Sequence, residues 1–111
     1  MVEPTARTQR LSITATSTAH GAVLSLGGNL DVATADDLEN AVREQIRQGA
    51  LIMLDAGDLT MCDSTGLGAI VRAHRQATAA GARIVVSGPR PYVADLLAMT
   101  GLDKVIEVRP R

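Results

Sequence analysis

Two short apolar runs constrain this chain most. "ALIMLD" (Ala50 to Asp55) and "ARIVVSG" (Ala82 to Gly88) are nearly unbroken aliphatic stretches of strand length, and each follows a helical pattern that ends in glycine, Gly49 and Gly81. A run that is apolar at consecutive positions and too short for a buried helix reads as a strand covered on both faces, hence central and parallel. Parallel neighbours cannot be joined by a hairpin. They need a crossover, and here the crossovers are helical.

The remaining elements fall into place around these strands. "LSITATST" (Leu11 to Thr18) alternates as a half-buried strand, "AHGA" turns, and "AVLSL" (Ala22 to Leu26) completes an antiparallel hairpin. A first helix is predicted from Thr34, whose hydroxyl is placed to accept from the Asp37 amide, with Asp36 and Asp37 suited to the positive end of the helix dipole. Its buried stripe is Leu38, Val42 and Ile46, and Gly49 ends it in a left-handed conformation. "AGDLTMCD" reads as a loop. A second helix runs from Ser64 to about Ala80 with Leu67, Ile70, Val71 and His74 on one side. A third spans Pro89 to Leu102, with Gly101 as its stop signal, and "KVIEV" (Lys104 to Val108) is the last strand. The order β-β-α-β-α-β-α-β implies an α/β fold with a mostly parallel sheet of about five strands and one antiparallel edge hairpin.

Length and composition narrow the function. The 111 residues suit one domain, with the first eight or so read as a loose tail. Tyr92 is the sole aromatic residue, so the core is aliphatic and a base-stacking nucleic-acid platform is excluded. A formal net charge of −1 offers no basic field for a phosphate backbone. Cys62 is alone, which rules out an intramolecular disulfide and a cysteine-based zinc set. No apolar run approaches the roughly 18 residues of a membrane span, and "MVEPTARTQR" has no apolar secretory segment. The expectation is a cytoplasmic protein without metal or cofactor, outside the membrane and monomeric.

The segment "CDSTGLGAIV" (Cys62 to Val71) concentrates the candidate chemistry. A nucleophilic serine needs a base within reach. His74 lies ten residues along the same helix as Ser64, about 15 Å up its axis, and His20 belongs to a hairpin tip. The G-x-S-x-G elbow is absent, because Asp63 precedes Ser64 and Cys62 stands where the first glycine belongs. "GLGAIV" lacks the third glycine of a dinucleotide loop, and no G-x-x-x-x-G-K-[ST] occurs. An enzyme is therefore not expected. The plainest reading is that Asp63 or Ser64 caps the helix. A second uses the same geometry: a hydroxyl at a helix N-terminus after a central strand is displayed where α/β sheets present function. Gly66 and Gly68 would then leave room for another protein's active site. A phosphate placed there would meet free backbone amides and the positive dipole end, altering the surface while sparing the fold.

"LIMLDAGDLTMCDSTGLGAIVRAHRQA", with "GGNLDVATADDLENAV" before it and "MTGL" near the end, resembles the anti-sigma-factor antagonists, small single STAS domains of bacteria. The likeness runs from about Leu11 to Val108 and is sharpest at Asp63 to Gly68. It implies a partner switch: the unmodified protein binds an anti-sigma factor that is a serine kinase with a GHKL-type ATP site, and so releases a sigma factor. It also implies that the kinase phosphorylates Ser64, with Thr65 the rival acceptor, and that a PP2C-type phosphatase reverses the step. Asp31 in "NLD" matches an acidic residue that the family keeps near the phosphoacceptor, and Asn29 stands where the family usually has an acid. Asp31, Asp63, Thr65 and Gly66 are the expected partner-binding residues. Other functions left open are an unphosphorylated STAS scaffold, a subunit of a lipid-transport ATPase, and a small-ligand or nucleotide-binding module.

Overall fold

A computed structural model describes residues 10–110; the expected N-terminal tail lies outside the described residues. The elements are β1 (Ser12–Thr18), β2 (Gly21–Leu30), α1 (Ala35–Arg43), β3 (Leu51–Cys62), α2 (Ser64–Ala79), β4 (Arg83–Ser87), α3 (Pro91–Met99), a 3-10 turn (Leu102–Lys104) and β5 (Glu107–Arg109). They form one five-stranded sheet in the order β1-β2-β3-β4-β5. The β1–β2 pair is antiparallel and every later pair is parallel. This is the α/β architecture expected from the element order.

One face of the sheet meets the helices. Ala22 and Leu24 of β2 register with Ile52 and Leu54 of β3, and these with Ile84 and Val86 of β4, all buried. Leu38 and Val42 of α1, Ile70 and Ala73 of α2, and Val93 and Leu97 of α3 close the same core. No aromatic residue takes part, so helices sit close to the sheet on small side chains; Ala69, Ala73 and Ala77 of α2 are completely buried. The alternate residues Val23, Ser25, Met53 and Asp55 point to the other face and are half-buried or exposed. On that face Val85 of β4, in register with Met53, is fully buried, as expected of a strand covered on both sides; the expectation is corrected for β3. The unbroken apolar run of β3 reflects its central place in the sheet, with helices on one side. On the open side Glu107 is bridged by Arg83 and by Arg109, each at 2.6 Å.

Several boundaries differ from the sequence reading, each for a local reason. "AGDLTMCD" is strand rather than loop through Cys62, because β2 also continues through Gly27–Leu30. The two pair as a ribbon (Gly28↔Leu59, Leu30↔Cys62) with irregular register on either side of Gly27–Gly28. Helix α1 stops at Arg43, so Gly49, at φ +82°, turns a separate loop rather than capping the helix. Thr34 occupies the N-cap position of α1 as expected, but its hydroxyl does not accept from the Asp37 amide: fully buried, it donates to the Asn29 carbonyl at 2.9 Å and accepts from the Asp31 amide at 3.0 Å. Helix α3 begins at Pro91, two residues later than expected, and the 3-10 turn after Gly101 consumes the start of the expected last strand.

Candidate functional site at the start of the second helix

The end of β3 sets the site. Cys62 is fully buried, and burial, then the neighbouring Asp63 charge, pushes its thiol up to about 12. It is a small core residue. Asp63 follows in extended conformation and does three things at once. Its carboxylate accepts from the Gly66 amide at 2.8 Å, its carbonyl accepts from Leu67 at 2.9 Å, and its own amide donates to the Leu30 carbonyl at 3.3 Å. The cap of α2 is therefore Asp63, and Ser64 is not used for that purpose.

Gly66 has a packing reason. It is buried, and a Cβ there would run into the Leu30 carbonyl oxygen, with Leu30 Cγ only 2.9 Å away. The sequence reading placed Gly66 on a partner-facing surface. The structure corrects this: the missing side chain lets α2 press on the end of β2. Gly68 is looser, since its Cβ would meet only the Arg72 guanidinium at 3.1 Å.

Ser64 and Thr65 are left exposed on the first turn, and among the described residues neither hydroxyl has a hydrogen-bond partner. Asp31 sits on the adjoining β2–α1 loop, half-buried, where its carboxylate accepts from the Ala33 amide at 3.0 Å. The Leu30–Asp63 hydrogen bond ties that loop to the start of α2, so Asp31 and Asp63 are neighbours across it. Asn29 is turned the other way, along the ribbon: its side-chain oxygen accepts from the Thr60 hydroxyl at 3.2 Å.

The other candidates are placed apart from this cluster. The His20 carbonyl receives the Leu51 amide, at the end of β3 opposite Ser64. His74 is half-buried two turns and more along α2, with Nδ1 buried and unpartnered. Arg72 pairs with the buried Glu39 of α1 at 2.9 Å, and Arg83 pairs with Glu107 across β4–β5. Among the described residues no group of three or more His, Cys, Asp or Glu is arranged to hold a metal, and no helix is long and apolar enough to cross a membrane.

Two apolar residues also stand at this edge. Tyr92 opens α3, half-exposed, with its hydroxyl donating to the Cys62 carbonyl at 3.4 Å. Val32, next to Asp31, escaped the sequence reading and is 77% exposed. An apolar residue in a turn directly after a candidate acid was the available signal.

Residues 13–108 match the family described as "Mlab, STAS domain". This chain belongs to the STAS domain family. The anti-sigma F factor antagonist of Paenibacillus polymyxa is 33% identical over 88 residues, covering 78% of this chain and 75% of that protein. The anti-sigma-B factor antagonist of Listeria monocytogenes is 28% identical over 85 residues, covering 76% and 75%. Among solved structures, an anti-sigma factor antagonist from Mycobacterium paratuberculosis superposes with a TM-score of 0.75 at 21% identity, covering 93% of this chain and 88% of the other. That likeness is one of fold.

Proposed function

We propose that this STAS domain is an anti-sigma-factor antagonist, acting as a binding partner in the cytoplasm rather than as a catalyst. In its unmodified form it binds an anti-sigma factor through the surface around Ser64 and so frees a sigma factor. The anti-sigma factor is a serine kinase of GHKL type. It transfers the γ-phosphoryl group of ATP to Ser64 Oγ, the hydroxyl proton passing to a base on the kinase and ADP leaving. A PP2C-type phosphatase hydrolyses the phosphate. The names of the Paenibacillus and Listeria relatives support the role.

The D-S-T-G pattern shared with the family selects Ser64 over Thr65, and one observation supports it as a modification site: its hydroxyl is exposed and unengaged while Asp63 does the capping. Were Ser64 the cap, modification would remove a contribution of about 1 kcal/mol to the helix. Here the helix keeps its cap, and the phosphate meets the positive end of α2. It also adds about −1.5 to −2 charge beside Asp31 and Asp63. A switch between partners needs about 100- to 1,000-fold in affinity, or ~3–4 kcal/mol. Repulsion and desolvation of a dianion against a nucleotide-bearing partner are of that size.

The test is intact mass after incubation with ATP and the kinase-type anti-sigma factor from the same genome. One phosphate is expected on the wild type and on Thr65→Ala, and none on Ser64→Ala, which still binds. Ser64→Asp keeps the wild-type circular dichroism and binds at least 100-fold more weakly. A phosphate on Thr65, or an unfolded Ser64→Asp, sinks the assignment.

A further inference from the structure

Four large apolar side chains are strongly exposed among the described residues: Val32, Tyr92, Met99 and Val105. Two of them stand after the strands on either side of the one that leads to Ser64. Strands β2, β3 and β4 are consecutive in the sheet, so the loops after them lie side by side at one edge. Val32 stands on the first, two residues past Leu30, which is bonded to Asp63. Ser64 opens the helix after the second. Tyr92 stands at the start of the helix after the third, its hydroxyl on the carbonyl of Cys62, two residues before Ser64.

We infer that Val32 and Tyr92 are the apolar anchors of the docking surface, and that they set the size of the phosphorylation switch as well as the affinity. This rests on the function proposed above. The occupant is the kinase that modifies Ser64. Asp31, Asp36 and Asp63 around the edge disfavour an anionic membrane surface, which leaves an apolar protein surface. An isopropyl group and a phenol ring covered by a partner exclude water from the polar strip between them. In that dry strip a hydroxyl is tolerated, whereas a phosphate dianion loses its hydration without a matching cation. If the rim stayed wet, the same phosphate would be screened by solvent, and its effect on binding would be small.

The inference therefore predicts coupling between positions 92 and 64. Full-length wild type, Tyr92→Ala, Tyr92→Phe, Val32→Ser and Met99→Ala are each titrated by calorimetry with the same-genome kinase loaded with ADP. Each is measured unmodified and phosphorylated on Ser64. For the unmodified protein Tyr92→Ala weakens binding about 30-fold, Tyr92→Phe stays within about threefold, and Met99→Ala, seven residues along α3, has no effect. Tyr92→Ala and Val32→Ser weaken the phosphorylated form far less, so the ratio between the two forms shrinks by about tenfold. Equal weakening of both forms overturns the inference, as does wild-type binding by Tyr92→Ala and Val32→Ser. Should Tyr92→Ala fail to fold, Val32→Ser decides, being at a position that is 77% exposed. Failure of the wild type itself to bind removes the proposed function and this inference together. Wild-type binding with unaffected variants removes only the inference.

Discussion

The same substitution at two positions, Gly66→Ala and Gly68→Ala, is expected to change stability in opposite directions. Both glycines lie in the first turns of α2, and Ala is intrinsically the better helix residue by up to about 1 kcal/mol. At Gly68 the new methyl meets only the Arg72 guanidinium, its Nη1 at 3.1 Å, which needs to shift by a few tenths of an ångström while Nε keeps Glu39, so most of that gain is realised. At Gly66 it meets the Leu30 carbonyl oxygen and, at 2.9 Å, Leu30 Cγ. The carbonyl is backbone and already accepts from the Asp63 amide; it has nowhere to go without moving the end of β2. Overpacking of this kind costs about 1–3 kcal/mol, and a backbone clash belongs at the upper end. Net of the propensity gain, Gly66→Ala loses about 2 kcal/mol. An unfolding entropy of about 2.1 cal/mol/K per residue over 111 residues is about 0.23 kcal/mol/K. Gly66→Ala then lowers Tm by about 9 °C, and Gly68→Ala raises it by about 2–4 °C. Thermal melts by circular dichroism, with urea midpoints as a second measure, read both numbers. A stabilised Gly66→Ala would refute the account of α2 pressed onto β2.

Two further outcomes follow from buried groups. Thr34→Val removes a hydroxyl that serves the Asn29 carbonyl and the Asp31 amide. Leaving those backbone groups without it costs about 1–3 kcal/mol in urea unfolding and loosens the Asp31 loop, which amide exchange at Asp31 and Ala33 reports. Cys62, its thiol pushed up to about 12 by burial and then by Asp63, is inert to iodoacetamide at pH 8 in the folded protein and reacts in urea. Above its ordinary value near 9 the unfolded chain releases this proton while the folded chain holds it. Stability therefore falls as pH rises from about 9 toward 12, and Cys62→Ala removes that dependence.

Local sequence was enough for the order of elements, the aliphatic core and the hydroxyl-bearing start of α2. Those features are written in local periodicity: apolar runs of strand length at Ala50 and Ala82, a three-to-four spacing at Leu38 and Val42, and a D-S-T-G stretch directly before a helical pattern. What it left open depended on partners distant along the chain. The polar "AGDLTMCD" looks like a loop until β2 is seen to continue beside it. Thr34 has the composition of a cap, but Asn29 and Asp31 lie close enough to take its hydroxyl first. Gly66 and Gly68 are alike as letters, and only the approach of Leu30 separates them. Tyr92 and Val32 come to the same sheet edge as Ser64 because β2, β3 and β4 are neighbours in the sheet. Periodicity tells a residue which face it occupies; which surface comes to meet that face is a matter of long-range packing, and tertiary structure alone decided it.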